Sequence, residues 1–237
     1  MALPVIREDI PAYLAELKRW LDETRDVPLE EMAAFFGARL DSYEEHMRPW
    51  REAYRAMARM LPPGGGTLLD LGCGTGLELD AILALQPAWV VTGVDLSAKM
   101  LGRLRRKHPQ VRTVCGDYFA ANLGESVYDA AVSFETLHHF TPEQKAALFQ
   151  KVRRALKPGG IYLQAEYVAC CPQEEEWLRQ ALREKRMREG IAPEAFVHFD
   201  VPLTAERELA LLRGAGFRLT DAPACVDGAC LLRAVKE

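Results

Sequence analysis

The 237-residue chain has no long apolar run, no cysteine framework and no surplus of positive charge. Its longest stretch without Asp, Glu, Lys or Arg is the 14 residues from Ala81 to Val94, which contain Gln86-Pro87. That is too short and too interrupted to span a bilayer. The opening MALPVIREDIPAY breaks for Pro and charge before a secretory apolar core could form, so a cytoplasmic protein without a membrane segment is expected. The six cysteines, Cys73, Cys115, Cys170, Cys171, Cys225 and Cys230, show no C-x-x-C and no Cys/His metal spacing. Neither a structural zinc nor a disulfide framework is therefore predicted. The vicinal pair Cys170-Cys171 could take a soft metal, but cysteines in or beside apolar runs usually act as small hydrophobes. A net charge of −4 offers no global basic field to nucleic acid or anionic membrane. With 49% apolar and 27% charged residues, disordered and fibrous readings are excluded.

What is present changes character once along the chain. Residues 1–61 read as a helical cap: Ile10, Leu14, Leu17 and Leu21 recur at helical spacing, a second helix is expected over about 28–39, and a third over about 42–60. Pro62-Pro63-Gly64-Gly65-Gly66 ends that segment. Residues 62–237 then alternate short Val/Leu/Ile-rich runs with amphipathic stretches. Strands are expected at 67–71, 89–94, 111–115, 128–134 and 161–168, with helices at about 76–85, 97–107 and 142–156. Such alternation predicts an α/β fold with a mostly parallel sheet buried on both faces. An insertion over about 169–203 begins with a charged helix at 173–189; helix 204–213 follows it, and strands 217–221 and 229–235 lie close enough to pair antiparallel.

The most informative segment is Leu68-Leu69-Asp70-Leu71-Gly72-Cys73-Gly74-Thr75-Gly76, a buried strand running into a glycine turn that opens a helix. Glycines let a ligand approach the backbone, and the helix N-terminus offers free N–H groups. Asp95 ends the next strand, 19 residues after Gly76, where a carboxylate in a doubly wound sheet can bind a ribose diol. A dinucleotide would need G-x-G-x-x-G for its pyrophosphate. Here position 77 is Leu, and Asp70 precedes the first glycine. A carboxylate there repels a pyrophosphate but suits an ammonium group, which favours S-adenosylmethionine (SAM).

On these residues the sequence resembles the class I SAM-dependent methyltransferases, over roughly 43–235. Asp70, Gly72, Gly74 and Gly76 match the family's acid and G-x-G-x-G; Asp95, in Val94-Asp95-Leu96-Ser97, matches the ribose acid. Gly116-Asp117-Tyr118 matches the adenine segment, Tyr128 to Phe134 the fourth strand, and Leu156-Lys157-Pro158-Gly159-Gly160 the turn before the fifth. The resemblance implies a Rossmann-like seven-stranded sheet with its last strand antiparallel, and SAM as cofactor. It implies that Asp95 holds the ribose, Asp117 the adenine amino group and the Tyr118 backbone a ring nitrogen. Leu96 and Met100 would cover the adenine, Phe134 would lie near the sulfonium, and the turn with Cys73 would flank the methionine moiety. The segment Phe36 to Met47 resembles an element that precedes the core in many small-molecule members, which makes Tyr43 a candidate to close over the methionine end.

The methyl acceptor is expected to be a small molecule, attacked in line. His138 and His139, just past the fourth strand, are the leading candidates for a general base, with Glu166, His46 and His198 behind them. The helical cap and the insertion, with Trp177, Phe196, His198 and Phe199, are expected to close the pocket against water. Two alternatives stand beside this reading: an RNA-directed enzyme of the same fold, such as one modifying a tRNA base, and a non-catalytic SAM-binding regulator.

Overall fold

The computed structural model describes residues 9–237; the part of the helical expectation that falls on residues 1–8 lies outside them. Helix α1 (Ile10–Glu23) starts where Asp9 Oδ1 accepts from Ala12 N at 2.9 Å. A two-residue strand, β1 (Glu30–Glu31), leads into α2 (Met32–Ala38), and α3 (Leu40–His46) follows. The helix expected over 28–39 is thus shorter, because 30–31 pair with another strand. The helix expected over 42–60 is broken: a 3-10 turn at Arg48–Trp50 separates α3 from α4 (Arg51–Met60). Pro49 has no N–H to give and its ring excludes the preceding turn, so the chain tightens there. The new helix start is capped from afar, Asp227 Oδ2 accepting from Glu52 N at 2.8 Å and Ala53 N at 3.2 Å.

The remaining elements run β2 (Gly66–Leu71), α5 (Leu77–Leu85), β3 (Trp89–Asp95), α6 (Ala98–Lys107), β4 (Arg112–Cys115), β5 (Tyr128–Phe134) and α7 (Pro142–Ala155). They continue β6 (Leu156–Glu166), α8 (Pro172–Glu189), β7 (Val197–His198), α9 (Ala205–Gly214), β8 (Phe217–Leu219), β9 (Ala224–Val226) and β10 (Ala229–Lys236). The sheet has the order β4-β3-β2-β5-β6-β10-β8, parallel from β4 to β6, with β10 antiparallel to both of its neighbours. This is the expected seven-strand path. An eighth strand was not foreseen: β9 pairs with β10 across the two-residue turn Asp227-Gly228, both at positive φ (51° and 86°), as a tight hairpin requires.

Alternating strand residues build two cores. Leu68, Val91, Ala130, Val132 and Leu163 face α4, α5 and α6, whereas Leu69, Leu71, Ala131 and Tyr162 face α7 and α9. Met57 of α4 is wholly buried in the first of these. A third, smaller cluster joins Leu17 of α1 to Leu178, Phe199 and Val201, and β1 pairs antiparallel with β7. The N-terminal segment and residues 169–203 are therefore held to each other. Chain order reverses across β2, which opens a crevice at the carboxyl ends of β2, β3 and β5, where ligands bind in open α/β sheets.

One ion pair lies entirely inside the second core. Lys145 of α7 donates to Glu208 of α9, both side chains fully buried, and Gln164 Nε2 donates to the other Glu208 oxygen at 3.3 Å. Removing one partner leaves an uncompensated buried charge. Lys145→Ala should lower unfolding free energy by about 3–5 kcal/mol in urea titration, and the double variant Lys145→Met/Glu208→Leu should recover most of it.

Candidate active site

The turn after β2 is shaped by close approaches. Gly72 has φ 71°, and a Cβ there would sit 2.3 Å from Thr136 Oγ1; Gly76 has φ 79°, and a Cβ would meet Leu104 Cδ1 at 2.4 Å. Any side chain at either position would clash and strain the backbone. Between them Gly74 N donates to Asp95 Oδ2 at 2.9 Å, while Ser97 N donates to Asp95 Oδ1 at 2.7 Å. Asp95 thus ties the glycine turn to the loop after β3. Ser97 in turn caps α6 by accepting from Met100 N at 3.4 Å.

These loops border a cleft lined by ten of the twelve residues expected to bind cofactor: Tyr43, Gly72, Gly74, Asp95, Leu96, Met100, Gly116, Asp117, Tyr118 and Phe134. Asp117 is positioned by its own turn, Oδ1 accepting from Phe119 N at 2.7 Å, and Phe134 packs on Tyr54 with ring centroids 4.2 Å apart. Met32 and Phe36 of α2 close the cavity from above. The lining contains the carboxylates Asp95, Asp117 and Glu135 and, among the described residues, no lysine or arginine.

The other two expected residues do not line it. The Cys73 side chain turns into the sheet core, 2.6 Å from where a Gly93 Cβ would stand, and burial pushes its thiol pKa well up. Only the Cys73 backbone belongs to the turn. Asp70 is fully buried at the end of β2, and the one group beside its carboxyl that can bond it is another acid, which requires a proton on one of the two. Glu78, the second residue of α5, is equally buried beside it. Burial raises the Asp70 pKa to about 7, and burial together with Asp70 raises that of Glu78 well above the usual carboxylate range. Two acids can share such a site only by holding a proton between them. Missed in the sequence, Glu78 carried one clue: with Asp80 it is one of two acids in the first turn of an otherwise apolar helix.

A second, wider cavity adjoins the first and shares Phe36, Tyr43, Glu135 and His139 with it. Its walls hold Phe35, Trp50 and Tyr167 and all of the expected histidines, His46, His138, His139 and His198. His138 Nδ1 bonds to Glu166, which is fully buried and also accepts from Leu137 N at 2.7 Å. His138 Nε2 lies 3.6 Å, and His139 Nδ1 3.3 Å, from Asp200 Oδ1. Burial pulls the His138 pKa down, but Glu166, Asp200 and Glu135 outweigh it and raise it to about 9. His139 is shifted down by burial and by His138, and His198, stacked on Phe35 at 3.4 Å, is shifted down by burial to about 4.

Glu135 and Asp200, like Glu78, are acids that sequence reasoning missed. Glu135 follows β5 directly, at φ 47°, with Oε1 unpartnered and Oε2 3.7 Å from His138 Nδ1. Burial raises its pKa to about 8. A non-glycine residue at positive φ is costly and clusters at functional sites.

Comparison with known proteins points to one family. Residues 68–160 match the family model of a methyltransferase domain, and that match, together with the relatives and the fold, supports a class I SAM-dependent methyltransferase. An uncharacterized methyltransferase of a Synechocystis strain is 40% identical over 98 residues, 41% of this chain and 45% of that protein. An O-methyltransferase of Penicillium expansum is 30% identical over 172 residues, 69% of this chain and 56% of that protein. A tRNA (carboxymethyluridine(34)-5-O)-methyltransferase of Mus musculus is 30% identical over 149 residues, 60% of this chain and 20% of that protein. The chain spans about half the length of the first two relatives. Human N-acetylserotonin methyltransferase, solved in complex with SAM, shares the fold with a TM-score of 0.65 at 22% identity, over 95% of this chain and 66% of that one. No helix among the described residues is long and apolar enough to cross a membrane.

The buried Asp70–Glu78 pair gives stability a pH dependence of definite sign. The folded protein holds the Asp70 proton to about pH 7, whereas an ordinary aspartate releases it near 3.8. The contribution is therefore intact at low pH and is lost as pH rises through that window. Urea unfolding at pH 5 and pH 8 should show wild type losing stability relative to Asp70→Asn at the higher pH.

Proposed function

We propose that the protein transfers a methyl group from SAM to a small molecule held in the second cavity. The lining of the first cavity carries this reading: three carboxylates and no fixed cation favour a positively charged sulfonium nucleoside and disfavour a diphosphate. Bound there, SAM supplies an electrophilic methyl group already activated by its sulfonium. Asp95, fixed by two backbone donors, presents its remaining lone pairs to a ribose diol. Asp117 accepts from an adenine amino group beside Gly116 and Tyr118, and Leu96 and Met100 cover the ring faces. The glycines at 72 and 74 would admit the methionine chain, with Tyr43 and Phe134 as the side chains that would hold its sulfonium end.

The chain's own contribution to rate is alignment: two cavities meet at Glu135 and His139, so an acceptor in one faces the reacting carbon in the other. His138 and His139 handle the acceptor's attacking atom, with Glu166 holding the His138 ring in place. Phe36 and Met32 keep water out. An RNA acceptor fits less well. The second cavity has Arg39 as its one Lys or Arg among the described residues, already paired with Glu30 at 2.7 Å, against Glu45, Glu135, Asp200 and Asp227. That balance repels a polyanion.

Calorimetric titration should show SAM binding that weakens by about 10–100-fold in Asp95→Ala, the loss of charge-assisted hydrogen bonds worth roughly 1.5–3 kcal/mol. Methyl-labelled SAM offered with a small-molecule library and, separately, with total tRNA should label the former. Once an acceptor is found, His139→Ala should lower kcat by on the order of a hundredfold. Labelled tRNA, or Asp95→Ala affinity equal to wild type, would refute the respective assignments.

A further inference from the structure

We propose that His138, His139 and Asp200 form a binding site for one divalent first-row metal ion on the acceptor side of the junction. His138 Nε2 is 3.6 Å and His139 Nδ1 is 3.3 Å from Asp200 Oδ1, and the three donor atoms all lie within 4.8 Å of one another. Neighbouring ligands around an ion bound at about 2.1 Å stand roughly 3–3.5 Å apart, so the trio needs little adjustment to close on one. Two imidazoles and a carboxylate on one side of an ion leave its other positions open to the cavity. That donor set suits Zn²⁺, Co²⁺, Ni²⁺ or Fe²⁺ better than Mg²⁺ or Ca²⁺.

The surroundings support the same ligand. Glu166, fully buried, takes the His138 Nδ1 proton as a hydrogen bond and leaves Nε2 as the free donor facing Asp200, the outer-shell arrangement that orients metal-bound histidines. His139 Nδ1 also lies 3.3 Å from the Phe199 carbonyl oxygen; as a ligand through Nδ1 it carries its proton on Nε2 instead. Independently, Glu135 lines the same cavity with its side chain nine-tenths buried and Oε1 unpartnered. Three carboxyl groups, Glu135, Glu166 and Asp200, thus converge on two histidines. The sequence spacing gave no hint of this, because the ligands come from the loop after β5 and the loop after β7.

The site does not depend on the methyl-transfer reading, and its test needs no acceptor. Tag-free full-length protein, stripped with EDTA and desalted, is titrated with Co²⁺ alone while visible ligand-field absorption is followed. Saturation at one equivalent per chain is expected. Asp200→Asn and His139→Gln should each weaken binding by on the order of tenfold or more. His46→Ala, altering a histidine of the same cavity outside the trio, should leave it unchanged. Far-UV circular dichroism and the SAM-induced rise in Tm confirm that Asp200→Asn is folded, and His139→Gln provides the independent second variant. The proposal fails if absorption does not saturate, or if Asp200→Asn binds like wild type. It fails equally if His46→Ala weakens binding as much as Asp200→Asn, or if a near-ultraviolet thiolate band places the ion at Cys170-Cys171.

Discussion

The pair of hydrogen bonds that Gly74 N and Ser97 N donate to Asp95 is the constraint on which the site depends. It fastens the end of β3 to the glycine turn after β2, and the missing Cβ at Gly72 lets Thr136, in the loop after β5, press against that turn. Three neighbouring strand ends are thereby held in one arrangement. A longer carboxylate at 95 would push the turn away, and a methyl group at 72 would push β5 away. The crevice follows from those two short-range conditions more than from the packing of the sheet beneath it.

Electrostatics then divide the molecule by how charge is compensated. Lys145 and Glu208 neutralise each other in the core. Asp70 and Glu78 solve the same problem by retaining a proton. Around His138 three carboxylates gather on a histidine that keeps its own proton to about pH 9. The first arrangement is structural and closed, whereas the third opens into a cavity of solvent dimensions. Such a cluster of acids and histidines opening into a cavity marks the second cavity as the chemically unusual part of the protein.

Much of the fold was legible because local signals agreed with one another. The strands 67–71 and 128–134 were short runs rich in apolar residues, and the positive φ of Gly72, Gly74 and Gly76 is what that turn demands. Asp95 was legible for the same reason, as an acid where an apolar run stops. The errors fall where tertiary pairing overrides local pattern. Glu30–Glu31 became a strand because Val197–His198 lies alongside, which no periodicity in either segment encodes. Pro49 did carry its signal, and the aromatic spacing of 43–54 concealed it. Asp70 and Cys73 belong to the glycine motif by position, yet both side chains are buried in the interior. Glu135 and Asp200 escaped because their importance lies in convergence of β5 and the 199–204 loop, sixty-five positions apart in the chain.

Four side chains, Phe36, Tyr43, Glu135 and His139, serve as a party wall between the two cavities. Whatever occupies one chamber sets the rotamers and charge that the other occupant meets. By thermodynamic reciprocity, the factor by which a first guest alters affinity for the second must equal the factor in the opposite direction. Substitutions in this partition will therefore change the order and cooperativity of loading, and an inhibitor bridging it would draw on both chambers at once.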